Sequence, residues 1–231
     1  MSAARLPLRK QLAWYVHSFK ALKQQRHKEM LPLLEDHVPK DGIIIDVGAS
    51  EGQFTKLFAQ IVPQGHVYAF EPGSYARSIV SKVIVTKQLK NVSLFPVGLS
   101  DRDAIETLSG NSGGGCPVMN TGKTDEEKIT LTTLDRFASL HNIQKLDLIR
   151  AATGGREMSF LHGAEQTIRK FKPALLIESH GSTATEMWDF LKALNYRIDR
   201  LEDVGKSPTS LSAPLNGGFI WCVAEDSRKN P

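Results

Sequence analysis

The stretch "DVGASEG" at residues 46–52 sets two carboxylates, Asp46 and Glu51, around Gly48, Ala49 and Ser50, with Gly52 closing the turn. A dinucleotide turn needs G-x-G-x-x-G, so that a pyrophosphate can approach the backbone and rest on a helix N-terminus. Here the glycines fall as G-x-x-x-G and the two acids repel a pyrophosphate, so the turn suits a cationic or zwitterionic ligand. S-adenosylmethionine, with a sulfonium, an amino-acid end and no phosphate, meets that description. Glu71, which follows the run "HVYAF", is an acceptor suited to both hydroxyls of a ribose. That role serves NAD equally well. Asp46 taken singly has a second role open to it, capping the turn through backbone N–H groups. In this order, Asp46, Gly48, Gly52 and Glu71 together favour the cofactor reading.

The opposite side of the same edge is poor in chemistry. "DLIRAATGGREM" (147–158) reads as a strand running into a helix, and it delivers Ala151, Ala152, Thr153, Gly154 and Gly155, none of them ionisable. An alcohol nucleophile needs a base, or a metal that lowers its pKa. His180, after the strand "LLIES", is the first candidate base because imidazole titrates near neutral pH. Its plainer reading is a surface or hydrogen-bonded histidine. Glu157 is a further catalytic candidate, with a plainer role in a first helical turn, where the helix dipole alone favours a carboxylate. Glu178 is open to catalysis and equally to a structural pair, since a buried carboxylate needs a partner such as Arg150. Asp135 in "TTLDRF" is placed to cap the helix through "LDRFASL".

The elements that must position these residues alternate. "GIIIDVG" is a β-branched apolar run, and Phe54, Leu57, Phe58 and Ile61 then recur at helical spacing. Strands are predicted at 66–72 and 92–100, with a helix from about Tyr75 to Gln88 between them. After a Gly-rich stretch at 108–128, the alternation resumes with "ITLTTLDRF", a strand at 145–151, one helix from Glu157 to about Phe171, and a strand at 173–179. A further helix and strands near "YRIDRL" and "GFIWCVAE" follow. Strands buried on both faces and separated by helices imply a doubly wound, mostly parallel α/β sheet in one domain.

Composition sets the frame. The 231 residues carry a formal charge of +4, and seven Lys and Arg precede the first acid, Glu29. The cysteines, Cys116 and Cys222, offer neither a disulfide framework nor a metal spacing, which fits a reducing, cytoplasmic setting. Residues 5–34 place Leu12, Val16, Phe19 and Leu22 on one stripe, the pattern of amphipathic helices. The expected division is a basic helical extension at 1–37 and a catalytic domain at 38–231. Arg and Lys interleaved with an apolar stripe suit a helix packed on the domain, and residues 5–28 are also compatible with an anionic or peripheral membrane surface. No zinc finger, aromatic RNA-binding signature or Walker loop points to nucleic acid.

Taken together, "IIIDVGASEGQFTKLFA", "VYAFEP", "VSLFPVGLSD", "ITLTTLDRF", "LDLIR" with "GGREMSFLHGAEQ", and "GGFIWCV" resemble an FkbM-type S-adenosylmethionine-dependent methyltransferase, in order, from about Pro39 to Glu225. The resemblance implies a class I methyltransferase fold of seven strands with the last antiparallel, and O-methylation of a small molecule or saccharide. It places Asp46, Gly48 and Glu71 at the methionine and ribose, with Ala49, Ser50, Gly52, Phe54 and Pro72 around them, and Ser100 and Asp101 by the adenine. The family pattern Lys-x-Asp-Val-Glu-Gly-x-Glu here becomes Arg150, Ala152, Thr153, Gly154, Gly155 and Glu157. Two acids are thus missing at 152 and 154, where Ala152, Thr153 and Gly154 line the expected substrate cleft. The residues leave open a base from elsewhere, an acceptor that needs none, and a cofactor-binding relative without the chemistry.

Overall fold

The computed structural model describes residues 8–108, 126–201, 209–215 and 217–225, with side chains from 11 onward. The Gly-rich loop at 110–115 and Cys116 lie outside the described residues. In chain order the strands are β1 (Ile43–Val47), β2 (His66–Phe70), β3 (Val92–Phe95), β4 (Gly98–Leu99), β5 (Ala104–Leu108), β6 (Glu127–Thr132), β7 (Leu148–Ala151), β8 (Ala174–Ser179), β9 (Tyr196–Arg200), β10 (Thr209–Ser210) and β11 (Gly218–Ala224). The α-helices are α1 (Leu8–Lys23), α2 (Leu31–His37), α3 (Gln53–Ile61), α4 (Ser74–Lys87), α5 (Leu134–Leu140), α6 (Glu157–His162), α7 (Glu165–Phe171) and α8 (Ala184–Ala193).

β-branched and aromatic side chains on both faces bury the main sheet between two helical layers. Its order is β10-β9-β11-β8-β7-β1-β2-β3. Strands β1, β2, β3, β7 and β8 run parallel, and β11 inserts antiparallel between β8 and β9. The eighth strand, beyond the seven expected, is β10, a two-residue edge paired with β9. On one face Ile45, Val47, Ile149 and Ile177 pack with Phe137, Phe160 and Leu191. On the other, Ile44, Leu148 and Leu176 meet Leu34, Leu57, Phe58 and Trp221.

Three expectations are corrected by packing. The single strand at 92–100 divides, because Pro96 cannot donate to a ladder, and β4 turns away to pair with β6 in a second sheet of order β4-β6-β5. The single helix after Glu157 divides into α6 and α7 at Gly163, where a Cβ would stand 1.8 Å from the Ser100 carbonyl oxygen. That close approach bends the chain onto the small sheet. Asp135 does not cap its own helix: the Thr133 hydroxyl accepts from Arg136 N–H (3.0 Å), while the Asp135 carboxylate accepts from Gln166 and Thr167 N–H at the start of α7.

Helix α1 is the fourth correction. It packs on α4 through Trp14, Ser18 and Ala21, leaving Leu12, Val16 and Phe19 of the expected buried stripe exposed. The small Ser18 and Ala21 admit a close helix approach, and Trp14 Nε1 donates to Ser78 Oγ at 2.8 Å. Lys56 of α3 fixes the end of α1 by donating its buried Nζ to the carbonyls of Ala21 and Gln24, at 2.5 and 2.6 Å. Burial, with Lys87 adding to it, lowers the Lys56 pKa from 10.5 to about 8. The unfolded chain holds this proton to higher pH than the folded one, so unfolding takes a proton up between those values. Stability therefore rises as pH climbs from about 8 towards 10, by about 1–3 kcal/mol. Lys56→Met is expected to flatten that rise, as read by urea denaturation across the window.

Candidate functional site

The parallel register brings the strand ends level, with Asp46 beside Arg150, Val47 beside Phe70 and Ala151 beside Ile177. From β1 the chain goes to β2 on one side and later crosses to β7 on the other. This switch point is where open α/β sheets hold ligands. The turn after β1 adopts left-handed backbone at Gly48 (φ 77), Ser50 (φ 51) and Gly52 (φ 78). Gly48 and Ala49 N–H both donate to the Phe70 carbonyl at 3.0 Å. A Cβ on Gly48 would stand 2.2 Å from the Ala152 carbonyl oxygen, so glycine there lets the turns after β1 and β7 touch backbone to backbone.

Beneath the turn, Asp46 is fully buried and faces inward. Its Oδ2 accepts the Thr55 hydroxyl at 2.6 Å, and its Oδ1 accepts from Arg150 at 3.3 Å. Arg150 also donates to the carbonyls of Gly48 (2.8 Å) and Val47 (3.3 Å), and its guanidinium stacks 4.6 Å over the Phe54 ring. Burial pushes the Asp46 carboxyl above its usual 3.8, with Arg150 and Thr55 opposing. The expected Arg150–Glu178 pair is thus replaced by Arg150–Asp46, because Asp46 is Arg150's register partner on the adjacent strand. Glu178 is half-buried at the end of β8.

Glu71 is buried where β2 ends. Its Oε2 accepts Ser50 N–H at 2.8 Å and its Oε1 accepts Gly73 N–H at 2.9 Å, tying two turns together. Burial raises its carboxyl above the usual 4.5, and these two N–H groups oppose the shift. Pro72 packs against Gly98 of the small sheet. One residue beyond β4, Ser100 donates its N–H to Thr132 (2.8 Å) and its hydroxyl to Asp101 (3.3 Å), which Arg102 also holds.

At the β7 end, Ala152 N–H donates to the Val47 carbonyl, and Thr153 and Gly154 continue the turn. The expectation that Glu157 merely meets its helix dipole is corrected. Glu157 is fully buried and turned back, its Oε1 accepting Thr153 N–H (2.9 Å), Thr153 Oγ–H (3.0 Å) and Gly155 N–H (3.2 Å). His180 Nε2 stands 3.7 Å from that oxygen, although the histidine side chain is 39% exposed. Among the described residues, both His180 Nε2 and Glu157 Oε2 are buried without a hydrogen-bond partner. Buried orphan polar atoms are uncommon, and here two face one turn.

Sequence reasoning missed this grouping, whose one signal is the four-residue spacing from Thr153 to Glu157 across Gly154 and Gly155. It also missed His27, which stacks on Phe54 with ring centroids 4.3 Å apart. Burial chiefly lowers the His27 pKa below 6.5. Beside it Gln25 donates to the Gln53 carbonyl (3.0 Å), so the segment after α1 lies against the start of α3.

The strand order and the turn after β1 define a class I methyltransferase fold. The profile of the Methyltransferase FkbM domain matches residues 46–198, and the chain belongs to that family. It is similar to the 2-O-methyltransferase NoeI of Sinorhizobium fredii, 25% identical over 162 residues that cover 62% of this chain and 65% of the relative. An FkbM methyltransferase from Methylobacillus flagellatus superposes with a TM-score of 0.59 at 15% identity, covering 95% of this chain and 56% of that one. A SAM-dependent O-methyltransferase from Thermotoga maritima gives 0.52 at 12% identity, covering 93% and 73%. The chain thus spans less than two thirds of the length of the first two of these relatives.

Proposed function

We propose that the chain is an S-adenosylmethionine-dependent O-methyltransferase whose acceptor is a hydroxyl on a small molecule or saccharide. The observation that carries this reading is Glu71. It is a buried carboxylate at the switch point, and each of its oxygens holds one backbone N–H and has a second lone pair for a ribose hydroxyl. Membership in the FkbM family agrees with it. The cofactor supplies a methyl group already activated by a positive sulfur.

This chain's residues then bind and orient. The Gly48–Ser50 turn meets the methionine end, and Pro72, Ser100 and Asp101 bound the adenine side. Asp46 and Phe54 act one step back, by fixing the Arg150 guanidinium that holds the Gly48 carbonyl. Ala152, Thr153 and Gly154 shape the acceptor cleft, and the part-exposed His180 imidazole beside them takes the proton of the acceptor hydroxyl.

Calorimetric titration with S-adenosylmethionine tests the pocket. Glu71→Ala is expected to weaken binding by more than about tenfold, a loss of about 1.4 kcal/mol or more. No binding by the parent chain withdraws the proposal. Labelled methyl transfer to a panel of saccharides and phenols tests the chemistry. Binding without transfer to any member favours the second reading, a cofactor-binding relative, which the missing acids at 152 and 154 motivate.

A further inference from the structure

Between residues 1 and 28, and again between 72 and 100, the chain contains no Asp or Glu, while it carries seven Lys and Arg in the first stretch and four in the second. The fold brings the described helices of these stretches, α1 and α4, together. Helix α1 lies on α4, with Trp14, Ala21, Ile79 and Val83 in one cluster and Tyr75 Oη bonded to His17 Nδ1 at 2.9 Å. The Lys56 bonds to Ala21 and Gln24 hold the end of α1 in place, so the outer face of this pair is fixed.

That outer face is apolar as well as basic. Leu12, Tyr15, Val16 and Phe19 are 68, 58, 44 and 62% exposed. Their spacing puts them on one side of α1. Exposed Lys20 and Lys23 flank them, with the Lys23 ammonium 6.0 Å from the Phe19 ring centroid. A solvated helix face carries polar side chains at such positions, and a contiguous apolar patch rimmed by charge marks an interaction site.

The chemistry selects the occupant. A second copy docking through the same patch would set cations against cations. A nucleic acid would satisfy the cations but leave Leu12 and Val16 unused. A bilayer with anionic headgroups takes both, its surface charge attracting the lysines while the apolar side chains enter the headgroup and acyl boundary. Among the described residues no helix is long and apolar enough to cross a membrane, and an amphipathic helix of this kind lies in the interface plane. We propose that the exposed face of α1, held in place by α4, docks the protein on an anionic phospholipid membrane.

Co-sedimentation of the full chain with phosphatidylcholine vesicles, with and without phosphatidylserine, tests this. The chain is expected to pellet with the anionic vesicles alone and to be released by high salt. Two double variants, Leu12→Ser with Phe19→Ser and Lys20→Glu with Lys23→Glu, are each expected to weaken binding by more than about tenfold. Thermal unfolding of both should match the parent, since all four side chains are exposed. Equal binding to neutral vesicles, no binding at all, or variants that bind like the parent would overturn the proposal. So would self-association that the Leu12→Ser, Phe19→Ser variant abolishes, because the face would then belong to a second copy.

Discussion

Arg150→Met is expected to destabilise the fold by about 3–5 kcal/mol, and to lower the midpoint of thermal unfolding by about 10 °C or more. The reason is what the guanidinium leaves behind. Asp46 has no exposed surface, and without Arg150 only the Thr55 hydroxyl answers its carboxylate. The carbonyls of Val47 and Gly48 lose a donor in the same step. Burial already raises the Asp46 carboxyl, and losing the cation raises it further. A carboxyl whose folded pKa lies above its unfolded value stabilises at low pH, and that contribution is lost as pH rises through the folded value. The deficit of Arg150→Met should therefore shrink on acidification. Adding Asp46→Asn should recover most of it at neutral pH, because no buried charge then remains. Parent-like stability of Arg150→Met at neutral pH would show that the pair does not hold the turn. Cofactor affinity should fall with Arg150→Met as well, since the Gly48 carbonyl is released.

This pair also marks where sequence reading stopped. The strands β1 and β2 and the glycine turn between β1 and α3 are legible because each rests on local grammar: β-branched runs, helical spacing and glycine placement read directly as burial and turn. The partner of Arg150 was not legible, because cross-strand register decides it and the competing acid, Glu178, lies only 28 residues away against 104 for Asp46. Helix α1 failed for another reason. It carries two stripes that look equally buriable, and only the fit of Ser18 and Ala21 against α4 selects between them. The role of Glu157 is hidden in the sequence because a carboxylate in a first helical turn already has a sufficient local explanation. Nothing local says that the turn before it folds back so that Thr153 and Gly155 donate to it.

His180→Ala is expected to lower kcat by about 10²–10⁴-fold, with the affinity for S-adenosylmethionine unchanged. The hydroxyl proton must go somewhere as the methyl group is transferred, and the acids that the family pattern has at 152 and 154 are absent. His180 supplies the imidazole at this turn, and among the described residues its Nε2 and Glu157 Oε2 both lack a hydrogen-bond partner, with Glu157 Oε1 3.7 Å from Nε2. Glu157 serves as a positioning residue. Three donors fix its Oε1, which holds the carboxyl 3.7 Å from the imidazole and so orients the ring. Glu157→Gln keeps an acceptor for Thr153 but removes the carboxylate charge, and should lower kcat by about tenfold or more while KM for the acceptor holds. Added imidazole should restore part of the turnover of His180→Ala and none of that of Glu157→Gln. If His180→Ala turns over like the parent, His180 is not the base. The acceptor must then be acidic enough to ionise unaided, which shifts the search from sugar alcohols to phenols and carboxylates.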